Sequence, residues 1–140
     1  MPNKTYALEW LEFAKKNLDT AKLLLEANHY EDIIGIELQQ TIEKLFKAFL
    51  AYSNAKIPKE HDLVKIYFLI EKDITPIEDH EVVLLRVATD YYQEDRYPNP
   101  QYMLPTREEV EKVFEFTLSL FERVLREMDI DKKEIYLQRN

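Results

Sequence analysis

Apolar residues recur every three or four positions along most of the chain, which is the period of a half-buried α-helix. Ala7, Leu11, Ala14, Leu18, Ala21 and Leu25 form one such stripe, widened by Trp10, and predict a first helix from about Thr5 to Ala27. Asn28 ends it and is expected to cap the next helix, with Glu31 three residues on as its capping-box partner. The second helix runs from about Tyr30 to Tyr52. Ile34, Leu38, Leu45, Phe49 and Tyr52 lie on its buried side, Ile42 and Phe46 flank them, and Asn54 is a left-handed stop. After Pro58, a third and shorter helix covers about His61 to Glu71, with Leu63, Ile66, Tyr67 and Ile70 on one face.

Thr75-Pro76-Ile77-Glu78 reads as the start of a fourth helix, with Thr75 as cap, Pro76 in the first helical position and Glu78 completing a box. That helix extends to about Tyr92 and packs Val82, Leu85 and Ala88. From Glu94 to Pro105 the three prolines at 98, 100 and 105 forbid helix. Thr106-Arg107-Glu108-Glu109 is another capping box, and the last helix carries Val110, Val113, Phe114, Thr117, Leu118, Phe121 and Leu125 to about Met128. The expectation is an all-α fold: an antiparallel up-down bundle of four main helices plus a short one over residues 1–128, followed by a charged extension over residues 129–140.

Composition narrows the chemistry. The chain has 140 residues, 46% of them apolar, enough for one self-supporting core. Its one glycine excludes Gly-rich phosphate loops and nucleophile elbows. The absence of cysteine excludes disulfides, thiolate zinc sites and thiol nucleophiles, and three histidines (His29, His61 and His80) are too few for a His-rich metal centre. The net charge of −8 disfavours avid nucleic-acid binding. No membrane-length apolar run and no signal-peptide pattern is present, so a soluble, cytoplasmic protein without metal or cofactor is expected.

Three segments hold the candidate chemistry. On the second helix Gln40, Lys44 and Lys47 share a face at i, i+4 and i+7, with Gln39 and Glu43 as a second polar row. A solvated, ion-paired helix face would look the same. Alternatively, such a row presents cations and amides to a phosphate or a base. In Ile57-Pro58-Lys59-Glu60-His61-Asp62-Leu63, His61 and Asp62 fall at a helix start, where backbone amides attract anions. In the proline-rich segment, Arg96 with Tyr97, and Tyr92 and Tyr102 nearby, offers a cation and stacking surfaces; packing of the loop on the bundle is the plainer reading.

Taken in order, Gln39-Gln40, Glu43-Lys44 and Lys47-Ala48, then Pro58-x-x-His61-Asp62-Leu63, then Arg96-Tyr97-Pro98, preceded by Trp10, Ala14 and Ala21, resemble the HEPN domain family from about Ala7 to Leu125. The resemblance implies a helical bundle that pairs as a homodimer, frequent partnership with a small nucleotidyltransferase, and a nucleotide- or RNA-related role. Many members are ribonucleases or toxins that use an Arg followed four to six residues later by a His. Here no histidine follows His80, so no arginine of the chain has a partner at that spacing.

The expectation is therefore a non-catalytic, homodimeric HEPN-like protein that binds a nucleotide, a nucleotidyltransferase partner or both, as in one half of a toxin–antitoxin-type module. Gln40, Lys44, Lys47, His61, Asp62, Arg96 and Tyr97 would line its groove. Lysines and Arg96 would hold phosphates, Tyr97 would stack, His61 would hydrogen-bond, and Asp62 would orient His61 or the helix start. The alternatives are a metal-independent ribonuclease using His61 and Arg96, and a purely structural homodimer.

Overall fold

The protein is described from a computed structural model, over residues 2–92 and 103–137. Among the described residues six helices follow in order: α1 (Lys4–Glu26), α2 (Glu31–Tyr52), α3 (Leu63–Ile70), α4 (Asp79–Thr89), α5 (Arg107–Glu127) and α6 (Lys132–Leu137). No strand is present among the described residues, and none of these helices is long and apolar enough to cross a membrane.

α1 and α2 form an antiparallel hairpin with the most extensive helix–helix contact in the fold, and α2 also touches α3, α4 and α5. The central place of α2 explains why its sequence looks unlike the others. Ile34, Leu38, Ile42, Leu45 and Phe46 are fully buried, and so are positions on the flanks of that stripe. Leu11, Leu63, Ile66, Ile70, Leu85 and Leu120 complete the centre of the core.

Helix ends are set by side chains. Asn3 caps α1 by accepting from the Tyr6 amide, and its own amide donates to the Tyr52 carbonyl at 2.7 Å, which fixes the start of α1 to the end of α2. Three helices close in the same way. Asn28, Asn54 and Asp129 have φ of 55°, 56° and 53°. The next residues, His29, Ala55 and Ile130, each donate back across the turn to Leu24, Leu50 and Leu125. These are Schellman closures, with Asn or Asp in the left-handed position that glycine more often fills. The single glycine serves another purpose. A Cβ on Gly35 would lie 2.8 Å from Cγ of Tyr91, so α2 has no side chain there because the Tyr91 ring packs against its backbone.

Two predicted starts differ. Asn28 does not cap α2; its left-handed backbone ends α1, and Tyr30 occupies the cap position of α2 without a side-chain bond. α4 begins at Asp79 rather than near Pro76. The Thr75 hydroxyl and amide engage the Glu127 carboxylate at the end of α5, and the Ile77 amide donates to the Tyr67 hydroxyl at 3.2 Å. With those groups used and Ile77 turned inward, the chain becomes helical only past Glu78, whose amide donates to the Glu81 side chain. α4 also ends earlier than expected, at Thr89. At α5, Thr106 accepts from the Glu109 amide at 3.1 Å, as the sequence predicts. Past Met128, Ile130 and Ile135 belong to the hydrophobic core and α6 lies against α1.

Candidate functional site

Because α2 is covered on most sides, its second polar row is carried into the interior. Gln39 and Glu43, with Lys47 one turn further on, are all buried. Burying such groups is tolerable only when each finds partners. Lys47 Nζ lies 2.9 Å from Glu43 Oε2, with side chains only 6% and 7% exposed. Gln39 Nε2 donates to Glu43 Oε1 and to the His61 carbonyl, both at 3.0 Å. Gln40 Nε2 donates to Gln39 Oε1 at 2.7 Å.

His61 joins this network from outside. Its Nδ1 is 2.9 Å from Glu43 Oε1, and its ring stacks on Tyr92 with centroids 4.2 Å apart and planes 20° from parallel. Since a carboxylate only accepts, Nδ1 carries the proton of this contact and Nε2 takes no part in it. The side chain is 39% exposed, so this imidazole has one nitrogen anchored in the core and one edge at the surface. Burial pushes the Glu43 carboxyl up, but hydrogen bonds from Lys47, His61 and Gln39 outweigh it and hold the group below the usual carboxylate range. Glu43 is thus ionised at neutral pH and fixes the imidazole orientation.

The segment before α3 delivers His61 to this place. The Glu60 carboxylate accepts from the His61 and Asp62 amides at 3.1 and 3.2 Å. Asp62 caps α3, accepting from the Val64 and Lys65 amides, and the Leu63 amide donates to the Thr89 hydroxyl at the end of α4. Of the two roles expected for Asp62, it performs the one at the helix start.

The predicted face of Gln40, Lys44 and Lys47 does not stay together. Lys47 turns inward to Glu43, while Lys44 reaches toward α1, where Nζ donates to Asn17 Oδ1 at 2.7 Å. Neither the solvated row nor a paired-lysine cradle describes it: along a helix that packs on both sides, neighbouring polar positions are claimed by different partners. Arg96 and Tyr97 lie outside the described residues. Two residues matter more in the fold than their sequence context indicates. Glu43 is the hub of the network, and the signal was available as Gln39, Glu43 and Lys47 at successive i+4 steps on the most apolar of the long helices. Tyr92 is the ring stacked on His61. Among the described residues no cluster of three His, Cys, Asp or Glu side chains fits a metal ion.

The HEPN domain family model matches residues 7–128, which takes in the whole network and all of α2. The chain belongs to the HEPN family. The fold of this HEPN domain is similar to the crystal structure of TT1696 from Thermus thermophilus, with a TM-score of 0.71 and 24% identity over 86% of this chain and 97% of that one. No curated protein matches the chain in sequence. Four of the residues through which the sequence resembles the family, Gln39, Glu43, Lys47 and His61, meet in the hydrogen-bonded network of this HEPN domain.

Proposed function

We propose that this HEPN domain is a non-catalytic nucleotide-binding protein, acting as a homodimer and alongside a nucleotidyltransferase partner, in a module of the toxin–antitoxin type. The ligand would dock on the His61 face. The observation that carries this reading is the Glu43–His61 contact of 2.9 Å, which holds an imidazole edge at the surface beside the ring of Tyr92. A fixed hydrogen-bonding edge next to an aromatic ring suits the edge and face of a nucleobase. Arg96 and Tyr97 follow Tyr92 by four and five residues. Four residues of chain span at most about 14 Å. Arg96 and Tyr97 are therefore assigned to the same ligand, for its phosphate and for stacking. Asp62 positions His61 through the helix start. Gln40 and Lys47 support the network from within, and Lys44 serves a neighbouring face.

Thermal-shift and calorimetric titration with ATP, GTP and the other nucleotides test the proposal. At millimolar ligand the wild type should be stabilised by several degrees and His61→Ala should not, provided that the variant folds by circular dichroism. No stabilisation of the wild type by any nucleotide would overturn it.

A second reading is favoured by the same contact. A carboxylate that fixes the tautomer of an exposed histidine is the arrangement a general acid or base requires, so a metal-independent ribonuclease using His61 and Arg96 is the enzymatic alternative. RNA incubated in chelator with the wild type and with His61→Ala separates the two. Cleavage lost in the variant supports the enzyme; equal cleavage or none refutes it.

A further inference from the structure

On one flank of the core stripe of α1, Tyr6, Trp10 and Phe13 lie at successive helical steps. With Glu9 and with Lys44 of α2 they line an open groove of about 410 Å³, in the range of small-molecule sites. Phe13 is 56% exposed, whereas Trp10 is partly buried against the core. Two ammonium groups flank the Phe13 ring, Lys16 at 5.0 Å and Lys44 at 5.8 Å from its centroid.

Lys44 is the unusual member. It is half-buried, and its hydrogen-bond partner is the neutral amide of Asn17. Asn17 in turn donates to Glu37 at 2.8 Å, so the amide stands between the ammonium and that carboxylate. Among the described residues Lys44 takes part in none of the ion pairs, while Lys16 pairs with Glu12. Burial lowers the Lys44 pKa, as expected where an ammonium has given up water without gaining a contacting counter-charge.

We infer that this groove is a second binding site, separate from the His61 face, for a small planar aromatic molecule carrying one anionic group. The ring would lie against Trp10 and Phe13, and the anion would supply the counter-charge that Asn17 does not give Lys44. Aromatic faces give such a ligand area at little entropic cost, and a partly desolvated cation interacts more strongly with an anion than one in bulk water. Glu9 on the lining repels further negative charge, which selects a monoanion over a polyphosphate.

Trp10 is the sole tryptophan, so its indole N–H gives one resolved proton–nitrogen NMR signal from inside the groove. The probe is 2-naphthoate, with the neutral 2-naphthalenemethanol as control, titrated at two protein concentrations. Naphthoate should shift the Trp10 signal in a saturable way, with the neutral alcohol at least tenfold weaker. Lys44→Met should weaken naphthoate at least tenfold. Phe13→Ala, a change at an exposed position, should weaken both probes. His61→Ala should bind naphthoate as the wild type does, which separates failure here from failure of nucleotide binding at His61. Equal response to the two probes, or wild-type affinity in Lys44→Met, overturns the proposal. So does a Trp10 shift that follows protein concentration rather than ligand, the signature of an interface between copies of the chain.

Discussion

Replacing Lys47 by methionine keeps the length and apolar stem of the side chain but removes the ammonium 2.9 Å from Glu43 Oε2. The carboxylate is then left buried with Oε2 stripped of its Lys47 partner. Removing one partner of a buried ion pair costs about 3–5 kcal/mol, because the charge left behind is neither hydrated nor paired. Glu43 retains Gln39 and His61 on Oε1, so the low end applies, about 3 kcal/mol. For 140 residues, unfolding entropy of about 2.1 cal/mol/K per residue converts this into a fall in Tm of roughly 10 °C. Urea unfolding followed by circular dichroism at pH 7 measures it directly.

The pH dependence gives an independent check. The native Glu43 carboxyl is held below its unfolded value, so its stabilising contribution is present above the unfolded pKa and is lost as pH falls through the lower native value. In Lys47→Met the largest of the hydrogen bonds that offset burial is gone, and the carboxyl takes up a proton more readily in the folded state. The stability gap between wild type and variant should therefore narrow as pH falls from 7 toward 4. Adding Glu43→Gln to Lys47→Met removes the stranded charge and should recover part of the loss. A single variant within about 1 kcal/mol of wild type, or a double variant no more stable than the single, would refute the buried-pair account.

Other perturbations test other joints. Gly35→Ala should destabilise by about 1–3 kcal/mol in urea titration despite the better helix propensity of alanine, because the new Cβ meets the Tyr91 ring at 2.8–3.1 Å. Asn28→Gly should be neutral or slightly stabilising, whereas Asn28→Ala should cost about 1 kcal/mol at a φ of 55°. Asp62→Ala removes the cap that receives the Val64 and Lys65 amides and should cost about 1 kcal/mol in the same titration. Arg123→Met leaves the buried Glu81 carboxylate without its two guanidinium bonds of 3.1 and 2.6 Å, and should lower Tm by calorimetry by more than Lys112→Met, whose exposed ion pair contributes under about 1 kcal/mol.

The bundle was legible because helical periodicity and chain punctuation are local. The stripe from Ala7 to Leu25, the stop at Asn54 and the cap at Thr106 each need only a few neighbours in sequence to act. Pattern and structure part where a local signal is overridden from a distance. Thr75 has the sequence context of a cap, but Glu127, 52 residues away, takes its hydroxyl and amide. Asn28 has the side chain of an N-cap, but its tolerance of the left-handed region is used instead to close α1. The same sequence preference supports both uses, and only the neighbouring turn decides between them.

For the candidate site the limit is different in kind. Spacing on α2 places Lys44 and Lys47 about 60° apart on the helix, near enough to read as one face. Whether they act together depends on what lies beyond each tip: for Lys47, the Glu43 carboxylate in the core, and for Lys44, an asparagine on the adjoining helix. A helix exposed on one side would have left both in water as an anion-binding pair. Because α2 is packed against α1 on one flank and α3 on the other, the polar positions between those contacts are divided. One set becomes the interior support that holds His61 by its Nδ1, and the other becomes a half-desolvated cation facing aromatic rings. Exchanging charge between the two sets is therefore not conservative. Lys44→Glu should disturb naphthoate binding and leave the Glu43–His61 pair intact, whereas Lys47→Glu should unfold the domain by setting two carboxylates against each other in the core, an outcome that circular dichroism of the two variants would distinguish at once.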